Sequence, residues 1–272
     1  MKQTRFKRVT HHALTIPLIL NILVTVTLIR QIFIGNWHNV FLCALTLMLF
    51  TLPTIVERQL KIHIPKAMQI VILLFIFSSE ILGEIHNFYG TFTHWDTMLH
   101  TLNGFLCAAI GFSLVDILNR HDSVKINLSP LSVALVAFCF SMTIGVLWEF
   151  FEYGVDTFMA MDMQKDRIVQ SIATVTLEPN GQNIPVVVDN IQYTQIYSGT
   201  DMNNLSQTVI AGGYLDIGLI DTMKDLLVNF VGAFVFSVFG WLYIKNRDKY
   251  AFAGKFMPMT ERTYQKRLKL KK

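Results

Sequence analysis

Six long apolar stretches restrict this chain to one class of fold. Each is long enough to cross the hydrocarbon core of a bilayer as a helix, which takes roughly 17–25 residues. Hydrophobic residues make up 52% of the chain and charged residues only 15%, a composition typical of membrane proteins. We therefore predict an all-α polytopic membrane protein with six transmembrane helices, at 13–33, 40–56, 64–87, 93–118, 131–158 and 226–244.

The distribution of lysine and arginine predicts how these helices are oriented. Basic residues collect before the first helix, after the second and fourth, and in the tail, whereas the turns at 35–39 and 86–95 contain none. Because basic links stay on the cytoplasmic side, both termini are expected to be cytoplasmic, with the first stretch as an uncleaved anchor. The basic run at 262–272 could also dock on anionic lipid, although an orientation signal is the simpler interpretation.

The connection between the fifth and sixth helices differs from the other links. It is polar, and β-prone segments at 173–177 and 184–188 flank a Pro179-Asn180-Gly181 turn, with another extended segment at 191–197. We predict a small β-rich extracytoplasmic insertion. The predicted organisation is a two-helix hairpin (1–63), core helices three to five (64–158), the lobe (159–222), helix six (223–247) and a basic cytoplasmic tail (248–272).

Carboxylates form a stripe at the end of the fifth predicted helix. Glu149, Glu152 and Asp156 are spaced i, i+3, i+7 and therefore share one helix face. A carboxylate at bilayer depth costs roughly 2.5–3.5 kcal/mol, so such a stripe needs partners. Similar stripes occur on neighbouring helices: Glu80, Glu84 and Asn87; Asp96, His100, Asn103 and Cys107; Asp221, Asp225 and Asn229. In the predicted orientation all four face outward above apolar inner halves, and form a cup open to the outside.

A bound divalent cation is the simplest way for these carboxylates to coexist. An isolated membrane carboxylate is often only a hydrogen-bond partner between helices, worth about 0.6–2 kcal/mol. Several packed together repel one another, and the basic residues on this side are few: Lys165, Arg167 and Lys224. Carboxylates with one imidazole suit Mg²⁺, Mn²⁺ or Zn²⁺. The predicted metal ligands are Asp96, His100, Glu149, Glu152, Asp221 and Asp225.

Three motifs in this order resemble the YjdF-like bacterial membrane proteins. They are HWDTMLH at 94–100, WEFFEY at 148–153 and GLIDTMKDL at 218–226, with Gly232 and Ala233 downstream. A more distant likeness, to VanZ-like proteins, rests on Asp96 and His100, a helix-ending Glu, and Asp225, Asn229 and Gly232. The VanZ-like pattern continues with Gln and Arg, whereas Glu152 takes the first of these places here. The resemblance implies a bacterial cell membrane and the site positions, and it supplies no reaction.

Three functional classes fit these observations. The first is a metal-assisted enzyme acting on a lipid-linked or other envelope substrate, with Glu152 as general base and His100 as a second catalytic residue. The second is a non-catalytic envelope protein whose cup binds a ligand or partner, with specificity set by the lobe. The third is a cation or proton transporter, against which the apolar inner halves argue. We rank the enzyme first; nucleic acid is not an expected partner, and the oligomeric state is open.

Overall fold

The computed structural model describes residues 3–60, 62–119, 128–246, 249–250 and 258–260. Within these residues, six helical spans are long and apolar enough to cross a membrane, so the predicted fold class is confirmed. The basic link around Arg120 and Lys125 and the basic run at 262–272 lie outside the described residues. The helices are α1 (Gln3–Ile34), α2 (Trp37–Leu49), α3 (Leu52–Leu60), α4 (Lys66–Phe77), a π-helical segment (Ser78–Ile85), α5 (Phe88–Thr91), α6 (Trp95–Asn119), α7 (Pro130–Met159) and α8 (Leu219–Lys245).

The second span, Trp37–Gln59, contains a break between α2 and α3. The backbone N–H of Thr51 donates to the carbonyl of Met48 at 3.0 Å, which tightens the end of α2. Pro53 is the second residue of α3, where its missing N–H breaks no intrahelical hydrogen bond. Helix α3 therefore begins with Pro53 in its first turn, where proline is tolerated.

The third span ends in a π-helical turn, although the apolar pattern predicts one regular helix. The N–H of His86 donates to the carbonyl of Ile81, five residues earlier, at 3.1 Å. The indole N–H of Trp95, from the start of α6, donates to the carbonyl oxygen of Ser78 at 3.2 Å. Asn87 then adopts a left-handed conformation (φ 55°) and begins the short helix α5. This irregular turn therefore joins the end of the third span to the start of the fourth.

Among the described residues, two apolar clusters hold membrane helices together. The larger cluster lies between α4, α6, α7 and α8, and includes Phe112 and Phe236, which pack edge to face with ring centroids 6.1 Å apart. The smaller one joins α1, α2, α4 and the π-helical segment around Val24, Cys43 and Ile81. Large apolar side chains along the outer face of α1 stay exposed, as expected of a surface that meets lipid tails.

Helices α6 and α8 cross with their backbones in direct contact. A Cβ atom at Gly104 would overlap the carbonyl oxygen of Asn229, and one at Gly232 would overlap the carbonyl oxygen of Thr101. Ser141 of α7 donates its hydroxyl to the carbonyl of Gly104 at 2.8 Å. Small residues at such crossings let membrane helices approach closely, so α6 and α8 are fixed at this point.

Strand β1 (Ile62–His63) pairs with β8 (Met259–Thr260) beside the end of α3. The carboxylate of Glu57 accepts a hydrogen bond from the N–H of Ile64 at 2.7 Å and another from the side chain of Gln69 at 3.1 Å. Gln69, a strongly polar group in the first turn of α4, therefore has a local partner at the helix end.

The chain divides into two compact units, with boundaries inside α7 and α8. The first comprises Met1–Leu147 and Asp225–Lys272, and the second comprises Trp148–Lys224. The second unit contains the polar connection predicted as a lobe at 159–222 together with the adjoining helix ends. The domain boundaries given by the sequence stay a prediction.

The polar connection forms three small antiparallel sheets, as the β-prone pattern indicates. Strand β3 (Ile172–Thr174) pairs with β4 (Val186–Val188) across the predicted turn. In that turn, the backbone N–H groups of Asn180 and Gln182 donate to Glu178 and lower the pKa of its carboxyl. Strand β5 (Tyr193–Ser198) pairs with β6 (Ser206–Ala211), and β2 (Arg167–Val169) with β7 (Tyr214–Asp216). The sequence did not predict β2, β6 or β7, which are short or only weakly β-prone.

Replacing either crossing glycine by alanine should destabilise the protein. Gly104→Ala and Gly232→Ala each drive a methyl group into the facing backbone, which cannot rotate away, so we expect a loss of at least about 1–3 kcal/mol. Gly154→Ala in α7 is the matched control, because nothing lies within 4 Å of its added Cβ, and alanine should gain up to about 1 kcal/mol of helix propensity. Thermal melting in detergent compares the three; equal melting temperatures would contradict the proposed crossing.

Candidate metal centre

Asp96, His100 and Asp225 converge at one place in the first unit. The Nε2 atom of His100 lies 3.4 Å from Oδ1 of Asp96, one turn earlier on α6, and 3.6 Å from Oδ2 of Asp225 on α8. Asp225 is buried, with 3% of its side chain exposed, and the other two are partly buried. One potential ligand atom from each residue lies within 4.8 Å of the other two. The structure thus brings together three of the six predicted ligands.

The two separations from His100 are close to those between ligand atoms of a shared cation. Around a tetrahedral ion with bonds of about 2.0–2.1 Å, two ligand atoms lie about 3.3–3.4 Å apart. A direct N–H···O hydrogen bond is shorter, at about 2.7–3.2 Å. The two distances from His100 are 3.4 and 3.6 Å, so the three groups could close on a small ion with little movement.

A pair of amides lies one helical turn below this trio. Asn103 donates its side-chain N–H to the amide oxygen of Asn229 at 3.2 Å, and Asn229 is only 1% exposed. The thiol of Cys107 donates to Asn103 at 3.5 Å, and the amide N–H of Asn229 donates to the sulfur of Met142 at 3.6 Å. The polar stripe predicted on α6 therefore continues into a hydrogen-bonded chain with α8 and α7.

Tyr89, next to the π-helical segment, is a polar group that the sequence did not single out. The hydroxyls of Ser79 and Tyr89 lie 3.1 Å apart, and Ser79 donates to the buried carboxylate of Glu80 at 3.2 Å. The ring of Tyr89 covers Gly83, where a Cβ would overlap it. Tyr89 lies in the predicted turn at 86–95, where helical periodicity does not indicate which side chains are buried.

Burial raises the pKa of Tyr89 well above its usual value of 10. The hydrogen bond with Ser79 acts in the opposite direction, and the negative charges of Glu80, Glu84 and Asp96 raise the pKa further. The phenol is therefore neutral at physiological pH. Its surroundings also show that the polar ends of the third and fourth spans share one electrostatic environment.

Glu149 and Glu152 belong to the second unit, and both are buried on α7. The indole N–H of Trp148 donates to Oε1 of Glu152 at 2.7 Å, a bond within one helical turn. The ring of Trp148 also packs on Phe151, with centroids 5.2 Å apart. Their convergence with the trio stays a prediction, as do their roles as ligands and, for Glu152, as general base.

Asp156 and Asp221 hold the first residues of the polar connection. The two oxygens of Asp156 accept the backbone N–H groups of Met163 and Gln164, at 2.6 and 2.8 Å. Asp221 accepts the N–H of Lys165 at 2.9 Å and pairs with Arg167 at 3.2 Å. Asp221 therefore has a structural explanation, with a basic partner, that needs no metal. Its predicted role as a ligand is untested.

The chain belongs to a family described as predicted membrane protein (DUF2238), whose profile matches residues 16–246. This match agrees with the resemblance to YjdF-like proteins, whereas the distant likeness to VanZ-like proteins stays a prediction. A protein of Thermotoga maritima described as an uncharacterized protein is 26% identical over 105 residues, which are 38% of this chain and 52% of that protein. The chain thus matches about half the length of this curated relative. No solved structure matches the chain.

The raised pKa of Tyr89 predicts how stability changes at alkaline pH. Above about pH 10 an unfolded chain can ionise this tyrosine, whereas the folded protein keeps it neutral, so the stability that it contributes is lost as pH rises. Tyr89→Phe removes this titration, and its melting temperature should fall less steeply than that of the wild type between about pH 9 and pH 11.5.

Tyr193→Phe, at an exposed position on β5, is the matched control for removal of a phenol hydroxyl. Parallel curves for the wild type and Tyr89→Phe would show that Tyr89 ionises as readily in the folded protein as in the unfolded chain.

Proposed function

We propose that this member of the DUF2238 family is a metal-assisted enzyme of the bacterial cell membrane. Its centre is the trio of Asp96, His100 and Asp225, which would bind a divalent cation. Its substrate class is a lipid-linked or other envelope molecule, because the trio lies at the end of membrane helices rather than in a water-soluble domain. The observation that carries the proposal is the spacing of three ligand atoms, all within 4.8 Å, at a largely buried position.

The donor set supports a Lewis-acid role. Two carboxylates and one imidazole leave open positions on a four- to six-coordinate cation, as catalytic sites require and structural sites do not. A cation held by these residues would supply Lewis-acid chemistry, with a lower pKa for a bound water and polarisation of a phosphoryl or carbonyl oxygen of the substrate. Glu152 is the proposed general base, held by Trp148, with Glu149 and Asp221 as further candidate ligands.

One observation favours a binding protein as the second candidate. The strands of the polar connection keep large side chains exposed, among them Tyr193, Tyr197 and Val209, each more than half exposed. Such a surface could recognise a ligand or partner without any chemistry. A transporter is less well supported, because Leu106, Phe112 and Phe236 form an apolar layer next to the amide pair, where a polar route would have to continue.

The proposed orientation places both termini in the cytoplasm and the trio towards the outside. Fusions at position 121 and after Lys272 should be active with a reporter that works in the cytoplasm. A fusion at Gly181 should be active only with a reporter that works outside the cytoplasm, because basic links stay on the cytoplasmic side. A cytoplasmic signal from Gly181 would reverse the orientation and place the trio on the inner side, which would exclude an outer-envelope substrate.

Metal binding by the purified protein tests the centre directly. Dialysed wild-type protein in detergent should bind one Zn²⁺ or Mn²⁺ per chain in calorimetric titrations. His100→Ala removes a proposed ligand and should weaken binding by more than the roughly 10–100-fold that loss of an outer-shell partner costs. His94→Ala is the control, because His94 is exposed near the same end of α6 and should not affect affinity.

Two results would contradict the proposed centre. One is the absence of stoichiometric binding by folded wild-type protein, and the other is equal affinity for the wild type and His100→Ala. Either would leave Asp96, His100 and Asp225 as a packed polar network between helices, which is the arrangement expected of the binding-protein alternative.

A further inference from the structure

We infer that Asn103 and Asn229 form a clamp that sets the distance between His100 and Asp225, and that the centre fixed in this way selects a small first-row transition cation over Ca²⁺. This inference rests on the proposed metal centre. It adds two positioning residues and narrows the class of cation.

The clamp joins the same two helices that carry the ligands. Asn103 follows His100 by three residues on α6, and Asn229 follows Asp225 by four on α8, so each amide lies one turn from a ligand on the same helix face. The amides meet in a hydrogen bond of 3.2 Å. A shift of α8 by one residue, about 1.5 Å along its axis, would break this bond and separate Asp225 from His100.

A directed chain of hydrogen bonds fixes the orientation of both amides. The thiol of Cys107 donates to the oxygen of Asn103, whose N–H donates to the oxygen of Asn229, whose N–H donates to the sulfur of Met142. Each amide thus uses its oxygen as an acceptor and its nitrogen as a donor, and neither can flip without losing two bonds. The chain connects three helices, α6, α8 and α7, at one level.

Glycines remove the remaining freedom around Asn229. A Cβ at Gly145 of α7 would lie 2.7 Å from the amide nitrogen of Asn229, and one at Gly104 would overlap its backbone carbonyl. Asn229 is 1% exposed, so its side chain is enclosed by protein atoms. The side-chain amide of Asn229 is therefore closely packed between α6 and α7, next to the proposed ligands.

A rigid trio with one imidazole discriminates between cations. Ca²⁺ takes about 6–8 oxygen ligands at 2.3–2.6 Å and is held by flexible oxygen sites, whereas imidazole suits Zn²⁺, Fe²⁺, Ni²⁺ and similar ions at about 2.0–2.1 Å. The amide pair joins the helices of His100 and Asp225, which lie 3.6 Å apart, so widening that separation for the longer Ca²⁺ bonds would strain the pair. The clamp thereby favours the small cation.

Co²⁺ serves as the test probe, because its visible absorption spectrum reports coordination geometry and its affinity can be measured in the same titration. Asn103→Ala and Asn229→Ala should each weaken Co²⁺ binding about 10–100-fold and change the spectrum. The double variant should lose little more than the worse single variant, because the two amides act as a unit. In the wild type, a thousand-fold excess of Ca²⁺ should not displace Co²⁺.

Two alanine substitutions separate the clamp from general packing damage. Gly145→Ala presses on the amide of Asn229 without removing a polar group and should shift the Co²⁺ spectrum. Gly111→Ala is the matched control: its Cβ would lie an equal 2.7 Å from a neighbour, but that neighbour is the ring of Phe140, away from the amide pair. Gly111→Ala should lower the melting temperature and leave affinity and spectrum unchanged.

The outcomes distinguish this inference from the proposed function. Wild-type protein that binds no Co²⁺ would overturn the metal centre itself. Wild-type binding that Asn103→Ala and Gly145→Ala leave unaltered in affinity and spectrum would overturn the clamp and preserve the centre. Displacement of Co²⁺ by a thousand-fold or smaller excess of Ca²⁺ would overturn the selectivity. If Asn229→Ala does not fold, Asn103→Ala and Gly145→Ala decide the question.

Discussion

The backbone contact between α6 and α8 is the constraint on which the candidate centre depends. Gly104 and Gly232 allow the helices to touch, and no side chain larger than hydrogen fits at either position. This contact brings His100 on one helix within 3.6 Å of Asp225 on the other, although the two residues are 125 positions apart in the sequence. In a bilayer, where apolar side chains gain little from leaving lipid, close packing of this kind holds helices together. The polar centre follows from that packing.

The sequence predicted the features that depend on local pattern. Length and hydropathy identified the six spans, because a bilayer imposes a minimum length on any apolar helix. Periodicity also placed Asp96 and His100 on one face, and both reach the same centre. The π-helical turn at Ser78–Ile85 was missed, since its apolar pattern resembles that of an α-helix, and Tyr89 was missed with it. The amide bond between Asn103 and Asn229 is a long-range contact that periodicity alone cannot reveal.

Carboxylates that look alike in the sequence have different environments in the structure. Asp156 and Asp221 bind backbone N–H groups at the start of the polar connection, and Asp221 also has Arg167 as a counter-charge. Asp225, one turn beyond Asp221 on α8, instead faces an imidazole and has the amide pair below it. Spacing along a helix identifies a shared face, but the opposing helix decides whether a carboxylate serves the fold or a ligand. For that reason three of the six predicted ligands form the centre proposed here.

X-ray absorption at the zinc edge of the loaded protein tests the central claim, that the trio binds a cation. The account predicts a first shell of nitrogen and oxygen atoms at about 2.0–2.2 Å with the outer-shell pattern of one imidazole, and loss of that pattern in His100→Ala. A sulfur shell at about 2.3 Å would place the ion on cysteine, and a pattern of several imidazoles would place it at other histidines. Either result would contradict a centre built from Asp96, His100 and Asp225.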